Sequence, residues 1–205
     1  MVKAYELDLT RDAEDVEVVI LFETMVGHRL QPREMYRAYQ CKKCGKINPN
    51  VISAVGLPPL DLSSIRLDYF HSEDGFPIVS ASLAEYLKEI CRDAVNFLAI
   101  RETGYYLLQC RDHVAPPADS RLYTPIEPAD PNDVFQVRGK RCPKCGRFRV
   151  VTYQPEAFPF PEEFTIFAFD VEQPLYLATS ICCSPVLAKQ ISARQFKGIR
   201  LIPIN

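Results

Sequence analysis

The chain has 205 residues, enough for one compact domain or two small ones. Its 47% apolar and 24% charged residues are ordinary for a globular chain. The apolar run from Val18 to Phe22 falls far short of a membrane span, and the formal charge of −2 conceals an uneven distribution described below.

Near the start, Tyr5-Glu6-Leu7-Asp8-Leu9 alternates apolar and polar residues as a half-buried strand does. It lacks the apolar centre of a secretory signal, so a cytoplasmic location without membrane attachment is expected. In that reducing compartment, eight cysteines are expected to be metal ligands or buried thiols rather than disulfides. A second strand is predicted over Val16–Glu23.

Next comes Cys41-Lys42-Lys43-Cys44-Gly45, which recurs as Cys142-Pro143-Lys144-Cys145-Gly146. Each Cys-x-x-Cys can turn tightly and aim two thiolates at one point, with glycine supplying the positive φ that follows the second sulfur. Two such knuckles brought together make a tetrahedral four-thiolate site, the preferred setting of structural zinc. Cys41, Cys44, Cys142 and Cys145 are therefore the candidate zinc ligands. A redox dithiol is the alternative for either pair.

Between the motifs, His71-Ser72-Glu73-Asp74-Gly75 reads as a hairpin turn. Ser82 and Glu85 fit a capping box ahead of a helix whose inner face carries Leu83, Tyr86, Leu87 and Ile90. Strands follow at Val95–Leu98 and Tyr105–Gln109. Cys110-Arg111-Asp112-His113 has Cys-x-x-His spacing, and with Cys182 or Cys183 it offers a second metal site; the rival reading makes Cys91, Cys182 and Cys183 buried thiols. A Pro-rich connection over 111–136 has no sustained periodicity, although Leu122, Tyr123, Ile126 and Phe135 interrupt its polarity.

Beyond the second motif, strands are predicted at Arg149–Tyr153 and Phe164–Phe169. Ser184-Pro185 places a capping hydroxyl before a first-turn proline, Gly198 is expected to end that helix, and Ile199–Ile202 alternates as a closing strand. Ser80–Ile100 and Ser184–Ile204 align at a constant shift of 104, with Ser80/Ser184, Leu83/Leu187, Ala84/Ala188 and Ile100/Ile204 identical. The cysteine motifs repeat in the same order at a shift of 101. These features predict an α+β fold, a single domain over 1–205 with two similar strand-helix-strand halves joined by a zinc-ribbon-like pair of knuckles. The half-units run from about 41 to 110 and from about 142 to 205.

Lys42, Lys43, Lys46, Arg138, Lys140, Arg141, Lys144, Arg147 and Arg149 surround the two motifs with no acid among them. Of the 24 basic residues, the 15 outside this group face 26 acidic ones, a balance of −11 for the rest of the chain. Cations beside a four-thiolate zinc stabilise its formal charge of −2; a nucleic-acid or acidic-partner surface is the other reading. Four cysteines close a zinc site to substrate, and His28, His71 and His113 lack the spacing of a metalloenzyme. No phosphate-binding glycine loop or nucleophile elbow is present, so no enzyme is expected.

The order of features resembles the double-CXXCG motif proteins of myxobacteria and their relatives, immunity proteins of polymorphic, contact-exchanged toxin systems. The resemblance lies in the two cysteine motifs, in Leu60-Asp61-Leu62-Ser63-Ser64, and in Pro174–Ile204, where Leu175–Ala178 leads through a helix to the Gly198-Ile199 strand. It implies neutralisation of a cognate toxin by direct binding. Asp12, Glu14, Asp15, Glu17, Asp119, Glu127, Asp130 and Asp133 are candidate acids for steering toward a basic toxin. The competing expectation is a nucleic-acid-binding zinc ribbon, with Tyr36, Tyr39, Phe148 and Tyr153 near the cations for stacking.

Overall fold

The computed structural model describes residues 2–9, 23–26, 29–43, 51–72, 76–114, 143–144, 160, 163, 165–169 and 180–205. The fold is α+β, with two sheets whose inner faces share one core. Strand β1 (Ala4–Leu9) starts the chain, and β2 (Glu23–Val26) and β3 (Arg29–Pro32) form a separate antiparallel ribbon. A 3-10 segment (Glu34–Tyr39) and the short helix α1 (Val51–Val55) follow. Then come β4 (Tyr69–His71), β5 (Pro77–Ser80), helix α2 (Ala81–Cys91), β6 (Val95–Ile100), β7 (Tyr105–Cys110) and β8 (His113–Val114). Strands β9 (Ile166–Phe169) and β10 (Ile181–Cys183), helix α3 (Pro185–Arg194) and β11 (Ile199–Ile204) complete the order.

The first sheet has the order β4-β5-β7-β6 and the second β11-β1-β10-β9-β8. In each, a helix connects two parallel strands, β5 to β6 or β10 to β11, with a third strand antiparallel to both between them. Tyr69 pairs with Val79 and Ile166 with Cys183, so β4 and β9 hold the same place beside them. The backbone N–H of Ser80 donates to Asp68 O, and that of Ser184 to Thr165 O, both at 2.9 Å. The two strand-helix-strand halves expected from the 104-residue shift are thus present with matching register. The second sheet also takes in β1 from the far end of the chain.

Strand alternation sorts each sheet into two faces. Tyr69, Val79 and Leu108 point into the shared core with Leu83, Ala84, Leu87 and Cys91 of α2. The second half contributes Leu7, Ile166, Cys183, Leu187, Ala188 and Ile191 to the same cluster. On the outer face of the first sheet, Phe70, Ile78 and Ile100 pack against Leu62 and Ile65, while Leu107 packs against Tyr36, Val51, Ile52 and Phe76. Burying one such side chain stabilises by ~1.5–3 kcal/mol, so this second layer matters to the fold.

Three local expectations are corrected. Ser80, not Ser82, caps α2: its Oγ accepts from Leu83 N at 3.3 Å, because β5 runs to Ser80 and the helix begins one residue later. Ile90 is 37% exposed and Cys91 takes the buried place at the end of that face. Helix α3 ends at Arg194 with Gln195 in the left-handed region, whereas Gly198 (φ +89) lies in the turn before β11. Ser184 caps α3 as expected, accepting from Leu187 N at 3.3 Å with Pro185 in the first turn. The expected hairpin around His71 is the β4–β5 pair, closed by Ser72 N donating to Phe76 O at 2.9 Å. The expected strands at Arg149–Tyr153, at Leu175–Ala178 and over Val16–Glu23 up to its last residue lie outside the described residues. None of the helices among the described residues is long and apolar enough to cross a membrane.

Candidate metal centre

The first cysteine motif emerges from a segment fastened to the outer face of the first sheet. Tyr36, in the 3-10 segment, is fully buried, and its hydroxyl donates to Gly56 O at 2.9 Å. Gly56 (φ +84) terminates α1 after donating to Ile52 O at 2.8 Å. One phenol therefore ties the residues before the motif to those after it. The chain leaves the 3-10 segment through Gln40, whose N–H donates to Arg37 O at 3.3 Å, and Cys41 follows half-buried. Lys42 and Lys43 form an exposed turn.

At the second motif Pro143 and Lys144 also form an exposed turn. Cys44, Cys142 and Cys145 lie outside the described residues, as do His28, Lys46, Arg138, Lys140, Arg141, Arg147, Arg149, Phe148 and Tyr153. So do the candidate steering acids and the connection from 115 to 136. What the described residues add is position. Tyr5 and Tyr106 face Cys183 and Val79 at equivalent points of the two sheets, and each precedes the first cysteine of its motif by 36 residues. The two motifs thus stand at the same sequence distance from equivalent strand positions.

Of the residues considered for a second metal site, Cys110, Cys182 and Cys183 lie near enough to influence one another electrostatically. Among the described residues no group of three or more His, Cys, Asp or Glu side chains is placed to hold an ion. Cys183 faces the shared core and Cys182 the opposite side of β10, while His113 is exposed on β8. Burial pushes the Cys91 and Cys183 thiols up to about 12, and it raises Cys110 and Cys182 well above the ordinary thiol range. Such groups stay protonated at neutral pH and behave as small apolar side chains. That matches the buried-thiol reading.

The third histidine has a structural setting. His71 Nε2 lies 2.8 Å from Tyr69 Oη, and the Tyr69 hydroxyl donates to Leu7 O at 3.1 Å. A phenol has one proton, so this geometry makes His71 the donor and fixes its Nε2–H tautomer. Burial lowers the His71 pKa, with Asp8 nearby opposing the shift. The pair joins β4 of the first sheet to β1 of the second.

Leu60-Asp61-Leu62-Ser63-Ser64 also has a local explanation. Leu62 is buried under the first sheet, and Asp61 Oδ1 accepts from Ser63 N at 3.0 Å and Ser63 Oγ at 2.6 Å. Those two bonds hold the Asp61 carboxyl below its usual range. Comparison of the chain with family models, curated proteins and solved structures returns no match.

The hub that sequence reasoning missed is Asp68. Its Oδ1 accepts from Ser80 Oγ at 2.6 Å and Ser82 Oγ at 3.0 Å, and its Oδ2 accepts from Lys197 N at 2.9 Å. Lys197 O in turn accepts from Asp68 N at 2.8 Å and Tyr69 N at 3.1 Å. The turn before β11 is thereby locked to the start of β4. Its sequence signal was faint: one aspartate just before an aromatic pair.

Proposed function

We propose that the chain is a non-enzymatic, zinc-stabilised protein-binding module that neutralises a cognate bacterial toxin by direct binding. The observation that carries the metal half of this reading is the equivalence of the two cysteine motifs. The first cysteine of each follows the equivalent strand residue, Tyr5 or Tyr106, by the same 36 residues, and each turns at its two central positions. Two ligands from each of two equivalent halves is the donor set of a closed, structural zinc. Cys41, Cys44, Cys142 and Cys145 would hold it, and the ion would contribute folding energy directly. The neutralising half rests on the resemblance to double-CXXCG immunity proteins and on the acidic balance outside the motifs.

Metal analysis of the native protein is expected to give one zinc per chain. Cys142→Ser is expected to lower the melting temperature by more than ~10 °C, the shift that roughly 4 kcal/mol produces in a chain of this size. An unchanged melting curve in metal-free protein would rule the zinc out. Partner identity is tested by native purification from source cells with and without nuclease. A single protein retained in stoichiometric amount after nuclease and moderate salt is the expected result.

A nucleic-acid-binding zinc ribbon is the second reading. It is favoured by the exposure of Lys42, Lys43 and Lys144 at the motif turns, with Tyr39 44% exposed beside the first. It requires salt-sensitive oligonucleotide binding, and no binding at low salt would eliminate it.

A further inference from the structure

The two halves of the chain do not keep their own strands. Strands β1 and β7 are equivalent by pairing: Tyr5 faces Cys183 as Tyr106 faces Val79, and Leu9 faces Ile199 as Cys110 faces Val95. The shift between them is 101 residues throughout, the same as between the cysteine motifs. In sequence, therefore, one repeat opens with β1 and ends with β6, and the next opens with β7 and ends with β11. In space, β1 is inserted between β10 and β11 of the second repeat, and β7 between β5 and β6 of the first. Each repeat donates its opening strand to the other.

The surrounding contacts obey the same exchange. Strand β1 packs near β4, and β7 near β9, which are equivalent pairs. Asp8 and Arg200 form a cross-strand ion pair at the register position where Gln109 Oε1 accepts from Asn96 Nδ2 at 3.1 Å. Ile204 lies opposite Ala4 as Ile100 lies opposite Tyr105, so the edge where β11 meets β1 corresponds to the hairpin closed by Arg101–Gly104.

The two slots differ in chemistry at one position. Leu107 is fully buried, packed with Tyr36, Val51, Ile52 and Phe76 beneath the first sheet. Its equivalent on β1 is Glu6, half-buried opposite Cys182 and Ile202. Placed in the first slot, Glu6 would bury a carboxylate among apolar side chains, which is strongly unfavourable. Leu107 in the second slot would meet no such penalty.

We propose that this chain is a single-chain form of a reciprocally strand-exchanged pair, in which each strand-helix-strand module is an acceptor slot for one extended segment and Glu6 bars β1 from the first slot. The partner each half fits is the other half; main-chain pairing supplies the affinity, and the residue at the Leu107 position supplies the selectivity.

The test begins with the full chain carrying a protease site between Glu102 and Thr103, in the exposed turn, cut after folding. The two fragments are expected to remain a 1:1 complex. Separated in denaturant, the first fragment should not regain a cooperative unfolding transition as a monomer, because Glu6 bars β1 from its own slot, and mixing should restore the transition of the uncut protein. A first fragment that refolds alone as a monomer overturns the proposal, as does a mixture that stays unfolded. A circular permutant needs no refolding step: Ile204 joined to Ala4 through a copy of Arg101–Gly104, with termini opened between Glu102 and Thr103. Retention of the parent's cooperative melting is expected, and its loss counts against the proposal. Selectivity is read by Glu6→Leu in the separated first fragment. The variant should gain a cooperative unfolding transition, as a monomer closed on its own β1 or as a dimer that exchanges it, while the unaltered fragment does not; no gain refutes the role given to Glu6.

Discussion

Among the described glycines, Gly198 has the least room for change. An added Cβ would sit 2.2 Å from Tyr69 O, and φ is +89. Gly198→Ala is therefore expected to destabilise by about 2 kcal/mol or more, read as a lower denaturant midpoint with an unchanged slope. His71 gives a residue-scale prediction in pH. Its folded pKa is lowered by burial, so the unfolded chain takes up the proton first as pH falls through about 6.5. Stability at neutral pH is unaffected by this group, declines below that value, and levels off once the folded protein is also protonated. Melting temperatures between pH 7.5 and 5 should show the decline, and His71→Gln should lessen it. Neither role was legible in the sequence. The sequence places His71 in a hairpin, but its bond to buried Tyr69 depends on β1 passing across β4, which no local pattern marks.

At the scale of elements, the two helix caps permit a direct comparison. Ser80 and Ser184 each accept from the N–H three residues on at 3.3 Å, so replacing either by alanine should cost ~1 kcal/mol. Ser80 also donates to the Asp68 carboxylate, which has no counterpart at Thr165, so Ser80→Ala should cost more than Ser184→Ala. Equal losses in chemical denaturation would show that the Asp68 bond contributes nothing net. The helices themselves were legible because apolar spacing and a Ser-Pro start are local signals. The first cap was misplaced because Ser82 and Glu85 satisfy a capping box on paper. Where the helix starts is decided instead by how far β5 remains paired, and Ser80 N is still bonded to Asp68 O. Strand β8 is short and its partner β9 is distant in sequence, so composition alone does not mark it.

For the whole molecule, duplication was visible in the paired motifs and helices, but the exchange of opening strands was not. Antiparallel strands carry no local mark of which module they join. A signal did exist, since Tyr5/Tyr106 and Leu7/Leu108 repeat at the shift of the cysteine motifs. Equivalence of the modules predicts that parts are interchangeable. Replacing Asp8 by Gln together with Arg200 by Asn copies the Gln109–Asn96 pair into the second sheet. The Asp8 and Arg200 side chains are 31% and 41% exposed, so their ion pair is worth only ~0.2–1 kcal/mol, and Arg200 Nε is buried without a partner. The double variant should match or exceed the parent in thermal stability, whereas Arg200→Asn alone should fall below it. A double variant less stable than either single one would contradict the equivalence.

The route of β1 also sets a timetable for synthesis. The first sheet can assemble once Cys110 has left the ribosome, since β4 to β7 are then all available. Strand β1, made first, pairs with β10 and β11, whose last residue is Ile204. At roughly 5–20 residues per second, its alternating apolar edge waits about 10–40 s for those partners. A nascent chain stalled before residue 181 should therefore carry an exposed, pairing-competent strand at its N-terminal end.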